Sequence, residues 1–133
     1  MATMNTTIEH IDSTKPNAYG ETEKYQWIAR LEGMIIREVL EPPEPELNEA
    51  GELVPVEHHI PIVPDDADRE LLVPFPYDDL YALYVASMID FYNREYQSYN
   101  NTAAVFADRL DAFKRWYIRH NAHGRAVNFR NVN

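Results

Sequence analysis

Apolar side chains recur every three or four residues along much of the chain, a spacing typical of helices with one buried face. The first long stripe comprises Tyr25, Ile28, Leu31, Ile35 and Val39. It predicts a helix over 21–40, which Pro42 and Pro43 end. A shorter helix is predicted over 6–11, capped by Asn5 or by a threonine and limited by Pro16.

The second half of the chain carries two further stripes, which are separated by polar residues at 100–102. The first predicts a helix over 76–99 and comprises Tyr77, Leu80, Tyr81, Tyr84, Met88, Tyr92, Tyr96 and Tyr99. The second predicts a helix over 101–120 and comprises Ala103, Phe106, Leu110, Phe113 and Tyr117. So short a break makes the two helices antiparallel neighbours, and Gly124 is expected to close the helical region.

Eight of the nine prolines lie in the segment 41–76, which excludes a helix there and disfavours a central strand. Its short apolar pieces are able to form a small hairpin. Because so long an irregular segment is unusual in a compact domain, we expect 41–66 to pack poorly on its own subunit and to be functional.

Together these elements predict a mostly α fold, a small helical bundle with a long antiparallel helical hairpin. The helical domain spans 1–120 and contains a proline-rich, acidic insert at 41–75, and a basic C-terminal tail spans 121–133. The residues expected to be buried in the core are Trp27, Leu31, Ile35, Tyr84, Met88, Phe106, Leu110 and Phe113.

Charge changes the picture, because the net charge of −10 is unevenly distributed. Residues 41–70 carry ten acids against Arg69 alone, whereas residues 109–133 carry six bases against Asp111 alone. An acidic middle and a basic end are typical of a molecule that meets other molecules. Solvated loops and helix ends are the ordinary alternative.

Chemistry-bearing motifs are missing from the sequence. There are no cysteines, no glycine-rich phosphate loop and no apolar run long enough to span a membrane. The first ten residues lack the basic and apolar parts of a signal peptide. His58 and His59 are adjacent and cannot easily share one metal ion on an extended backbone. The sequence therefore predicts a soluble, non-enzymatic protein without a metal or other cofactor.

Tyrosine is unusually dense between residues 77 and 99, where six of the nine tyrosines lie. Tyrosine is favoured at protein interfaces, where its ring is buried and its hydroxyl reaches water. An amphipathic helix whose tyrosine hydroxyls are solvated is the alternative. The residues expected at a subunit interface are Trp27, Tyr77, Tyr81, Tyr92, Tyr96, Tyr99 and Trp116.

Arginines alternate with aromatic residues near the C-terminus, a pattern found in surfaces that bind nucleic acid. Docking onto an acidic protein surface fits the pattern as well, because the whole chain is acidic. The residues concerned are Arg115, Arg119, Arg125, Phe129 and Arg130.

Several short stretches, in their order and spacing, resemble small proteins from the structural gene clusters of tailed phages and prophages of Gram-positive bacteria. These are head–tail connector proteins, also called adaptor or head-completion proteins. The stretches are TIEHID (7–12), KPN (15–17), WIARLEG (27–33), REV (37–39), ELLVP (70–74), PY (76–77), LY (80–81), ID (89–90), N and EY (93, 95–96), YNN (99–101), F (113) and WY (116–117).

The resemblance implies a structural virion protein that assembles in the host cytoplasm as a ring, typically of twelve copies, in the virion neck. Such a ring lies beneath the portal protein, contacts tail or stopper proteins and extends the channel through which DNA passes without sequence-specific binding. The basic tail is then expected to dock on the portal. Two other interpretations stay open, a DNA mimic that inhibits a host nucleic-acid-binding protein and a helical regulatory module.

Overall fold

A computed structural model describes residues 2–132 of the chain, with the side chains of residues 2–121. The fold is mostly helical and confirms the predicted small helical bundle. The elements are α1 (Met4–Thr14), α2 (Glu21–Glu38), β1 (Glu46–Leu47), β2 (Leu53–Val54), a 3₁₀ turn (Tyr77–Asp79), α3 (Leu80–Tyr92) and α4 (Tyr96–Val132).

Helix α1 begins two residues earlier than the sequence predicts, because Thr3 caps it. The Thr3 hydroxyl accepts a hydrogen bond from the Thr6 backbone N–H, and the Thr6 hydroxyl in turn accepts one from the Thr3 backbone N–H. This reciprocal arrangement satisfies two backbone donors and holds the helix at its start. It also orients Met4 and Ile8, both buried, towards the core.

Replacing Thr3 with alanine should therefore lower the free energy of unfolding by about 1 kcal/mol, the usual cost of losing a threonine cap. Chemical denaturation monitored by circular dichroism measures the change. Thr22 to alanine is the matched control, because Thr22 is exposed on the first turn of α2. Equal effects of the two substitutions would contradict a capping role for Thr3.

The core lies around α3, which packs against α1, α2 and α4. Ile28, Leu31 and Ile35 of α2 are completely buried, in agreement with the predicted stripe. Trp27 and Phe113 are also buried, as expected. The other predicted core residues are only partly buried against this cluster, because they lie on the outer part of the α3–α4 pair: Tyr84, Met88, Phe106 and Leu110.

The break between the two long helices lies at 93–95 and not at 100–102. Arg94 adopts a left-handed backbone conformation with φ of 60°, and the Glu95 N–H donates to the Asp90 carbonyl. The helix continues through Thr102. Its hydroxyl lies 2.6 Å from the Ser98 carbonyl oxygen of α4 and 2.7 Å from the Asp90 carboxylate of α3, so its single proton is shared between these two acceptors. The six clustered tyrosines consequently do not share one helix.

The expected end of the last helix near residue 120 is also wrong. The backbone of α4 is helical from Tyr96 to Val132 and passes through Gly124 without a break. Glycine inside a helix costs only about 1 kcal/mol relative to alanine and keeps its N–H, so the hydrogen-bond ladder continues. A separate tail over 121–133 stays a prediction.

The proline-rich insert divides into two parts. Strands β1 and β2 form a small antiparallel hairpin with both strands exposed, closed by a turn in which Gly51 has a φ of 79°. Nearer α3, the insert packs on the bundle: Val63 packs against the core cluster, and Ala67 is buried with its carbonyl accepting from the Asn5 N–H at 3.0 Å. Poor packing on the subunit thus applies to the hairpin and not to the whole of 41–66.

Within the described range, no helix is both long enough and apolar enough to cross a membrane.

Candidate assembly surfaces

A buried carboxylate joins α2 to the segment before α3. Both oxygens of Glu32 accept hydrogen bonds, Oε1 from the Tyr81 hydroxyl at 2.6 Å and Oε2 from the Leu72 N–H at 2.9 Å. The Tyr81 hydroxyl also accepts from the Val73 N–H at 3.0 Å. Burial raises the pKa of Glu32, and the hydrogen bonds from Tyr81 and Leu72 partly offset that rise. This cluster fixes the path of the chain into α3.

Tyr81 is therefore a core residue, which corrects its assignment to the subunit interface. Its side chain is completely buried within the chain, and its hydroxyl is engaged by Glu32 and by the backbone. A neighbouring molecule cannot contact it without opening the bundle.

A second buried carboxylate fastens the turn between α3 and α4. Asp90, completely buried, forms an ion pair with Lys15 at 2.6 Å and accepts hydrogen bonds from Ser98 and Thr102. Burial opposes ionisation, but the bonds from Lys15, Thr102 and Ser98 outweigh it and lower the pKa of Asp90. The cluster ties the end of α1 to both helices of the hairpin.

An aromatic patch lies at the α3–α4 turn and comprises Phe91, Tyr92 and Tyr99. Tyr92 is 53% exposed and stacks on Trp27, with ring centroids 5.7 Å apart and planes 8° apart. Phe91, also exposed, contacts the rings of Tyr92 and Tyr99. The patch is an apolar surface that no other part of the described chain covers.

An aromatic cleft of about 220 Å³ opens between α4, the end of α2 and the insert. Trp116 stacks on His120 with centroids 5.0 Å apart, and Tyr77 supports Phe113 and Trp116 by ring contacts. The cleft is lined by Leu40, His58, Leu72, Pro74, Phe113, Trp116, Tyr117, His120 and Asn121.

The residues expected at an interface thus fall into separate places. Tyr92 and Tyr99 belong to the aromatic patch, and Tyr96 is exposed near them on the first turn of α4. Tyr77 and Trp116 belong to the aromatic cleft or its support. Trp27 is only 8% exposed and acts mainly as the base on which Tyr92 stacks.

The basic residues lie along the second half of α4. Arg115 pairs with Asp111 at 2.9 Å, one helical turn earlier, and Arg119 is exposed. The side chains of Arg125, Phe129 and Arg130 lie outside the described residues. The structure thus places two of the five expected docking residues on the surface of α4.

The sequence did not predict the buried carboxylates of Glu32 and Asp90, although each lies among apolar residues of its helix. Glu32 lies four residues after Ile28 and three before Ile35, on the apolar face of α2, and Asp90 lies in the most apolar of the described helices. A charge on an apolar face indicates a buried partner, because an unpaired buried charge is very costly. The partners Tyr81 and Lys15 are distant in sequence, so the signal could not name them.

The two adjacent histidines have separate partners. His58 contacts the Glu41 carbonyl oxygen through Nε2 at 2.6 Å, whereas His59 contacts the Asp66 carboxylate at 2.6 Å. Within the described residues, no group of three or more histidine, aspartate or glutamate side chains is arranged to hold a metal ion.

In comparisons with known proteins, no family model, curated protein or solved structure matches this chain.

Proposed function

We propose that the chain is a non-enzymatic head–tail connector that assembles as a ring in the neck of a tailed-phage virion. The observation that carries the proposal is the presence of two separate apolar surfaces on one small bundle, the aromatic patch and the aromatic cleft. Aromatic residues that are half-buried in a monomer are typical of protein interfaces. Separate surfaces on one subunit allow head-to-tail contacts between copies, and such contacts form a ring where the rotation from one copy to the next closes.

The charge distribution supports the same proposal. Acids dominate residues 41–70, while the bases collect in residues 109–133. An acidic channel wall would let DNA slide, because it makes no basic contacts that release counterions and hold phosphate. Arg115 and Arg119 on α4 are then available to an acidic portal surface, where arginine binds carboxylates in pairs.

The test is the mass of the protein in solution, alone and with portal-bearing heads. We expect the protein to co-sediment with heads and to be present there as a closed ring in electron micrographs. Replacing Arg115 and Arg119 together by glutamate should weaken co-sedimentation at least about tenfold, and added salt should weaken binding of the unmodified protein in the same direction.

Arg30 to glutamine together with Glu23 to glutamine provides a control that changes two exposed charges of α2, away from α4, while keeping the net charge. This variant should still co-sediment. If the protein is a monomer or dimer that does not bind portal-bearing heads and instead inhibits a DNA-binding enzyme, the connector proposal is wrong and a DNA mimic is supported.

A further inference from the structure

The β1–β2 hairpin presents two leucines that its own chain does not bury. Leu47 and Leu53 are each 70% exposed. They are direct partners across the hairpin, so their side chains lie next to each other on one face. Two adjacent exposed leucines at the end of a projecting hairpin form a compact apolar tip.

The aromatic cleft has the size and lining to receive such a tip. Its volume is about 220 Å³, and its walls include Leu40, Leu72, Phe113 and Trp116. An apolar cavity of about 150 Å³ holds the six carbons of a benzene molecule, so a cleft of about 220 Å³ has room for the eight side-chain carbons of two leucines.

Charge is complementary between the two surfaces. The segment 41–57, which contains the hairpin, carries six glutamates and no base. The cleft is built on α4, where each residue turns about 100° from the last. Lys114 and Arg119 therefore flank the face formed by Phe113, Trp116 and Tyr117, one on each side. An acidic tip entering the cleft meets a base on either flank.

The hairpin begins and ends at the edge of its own cleft without closing it. Glu41 donates its backbone N–H to the Tyr117 hydroxyl at 2.7 Å, and His58 lines the cleft. Between Glu41 and His58 the hairpin extends away from the cleft, with Leu47 and Leu53 exposed. An open cleft and an exposed tip on the same molecule make a head-to-tail pair of surfaces.

We propose that the β1–β2 hairpin of one copy inserts Leu47 and Leu53 into the aromatic cleft of the neighbouring copy. This inference rests on the proposed ring and names the contact that closes it. The hairpin is the arm, and the cleft of the next copy is its receptor.

Because the chain has no cysteines, disulfide crosslinking tests this contact directly. One variant carries Glu52 to cysteine, which keeps both leucines, and a second, tagged variant carries His120 to cysteine at the cleft. Mixing the two full-length proteins at assembly concentration or on portal-bearing heads, followed by oxidation, should produce a crosslinked pair on a non-reducing gel.

In the matched control, the tagged variant carries cysteine at position 118 in place of Ile118, and His120 is kept. Ile118 is exposed on the same turn of α4 but lies about 160° away around the helix axis. We expect at least tenfold less crosslinked pair with Ile118 to cysteine. Equal yields from the two positions would overturn the proposal, because they would indicate random collision.

A double variant with both Glu52 and His120 changed to cysteine distinguishes the neighbour's cleft from the chain's own. Crosslinks between copies should produce a ladder of multimers. A fast-migrating monomer with an internal disulfide would overturn the proposal by placing the hairpin in its own cleft.

Replacing Leu47 and Leu53 together by aspartate should weaken self-association about 100-fold, since two apolar side chains lose their burial. Both are exposed, so the fold should be unaffected, and circular dichroism checks this. If the unmodified protein forms a ring and the variant forms the same ring, the hairpin contact is wrong while the connector stands. If the unmodified protein forms no ring even on heads, the connector itself fails.

Discussion

Replacing Asp90 with alanine should lower the free energy of unfolding by about 3 kcal/mol. The carboxylate is completely buried and holds three side chains, Lys15 at 2.6 Å, Thr102 at 2.7 Å and Ser98 at 2.9 Å. Breaking a buried ion pair costs about 3–5 kcal/mol, because the remaining charge and donors lose their partner. Lys15 is one-quarter exposed and can regain water, which places the loss at the lower end.

Chemical denaturation measures this loss, and Asp108 to alanine is the matched control. Asp108 is exposed on α4, so its replacement should change stability by less than about 0.5 kcal/mol. A loss for Asp90 that is no larger than for Asp108 would show that the ion pair does not hold the α3–α4 turn.

The Asp90 contribution should also depend on pH, and its sign follows from the lowered pKa. A carboxylate whose folded pKa is depressed adds stability above its unfolded pKa of about 3.9, and that stability is lost as the pH falls through the folded value. The difference between the unmodified protein and the alanine variant should therefore shrink on acidification below about pH 4.

Replacing Tyr81 with phenylalanine should lower the free energy of unfolding by about 2–4 kcal/mol. The hydroxyl accepts from the Val73 N–H and donates to Glu32, so its loss leaves two buried polar groups without their partner. Each such group costs about 1–3 kcal/mol. Tyr96 to phenylalanine is the control, because Tyr96 is exposed and should tolerate the change.

The contribution of Glu32 to stability should change with pH in the opposite direction to that of Asp90, because burial raises the pKa of Glu32. Its stabilising contribution is fully present below the unfolded pKa of about 4.3 and is lost as the pH rises through the folded value. The cost of replacing Glu32 with glutamine should therefore be smaller at pH 8 than at pH 4. A cost that grows with pH would contradict the raised pKa.

The helices could be predicted from the sequence, but the partners of these two carboxylates could not. The stripe from Tyr25 to Val39 predicted α2 correctly, because the spacing of apolar residues depends on one helix alone. Lys15 and Asp90 are 75 positions apart, and nothing in the local pattern around either residue identifies the other. Their pairing depends on how α1 packs against α3, which the pattern of a single helix does not contain.

The misplaced turn between α3 and α4 has a similar cause. Asn100, Asn101 and Thr102 favour a break by composition, but the Thr102 hydroxyl is held by Asp90 and the helix continues. The actual turn uses Arg94 in a conformation that arginine seldom adopts, so composition did not mark it. Of the candidate surfaces, Tyr92 and Tyr96 are exposed, and their place at a subunit interface stays a prediction. The cleft could not be predicted, because it depends on the packing of α2, the insert and α4.

The closing of the insert on itself has a consequence for how this fold can vary. The His58 ring meets the Glu41 carbonyl oxygen at 2.6 Å, so the chain leaves the bundle and returns to it at almost the same point. Residues 42–57 therefore form a module whose length is decoupled from the body, since each doubling of a loop costs only about 0.6 kcal/mol in closure entropy. The hairpin can therefore be lengthened, shortened or exchanged between variants while the helices keep their packing.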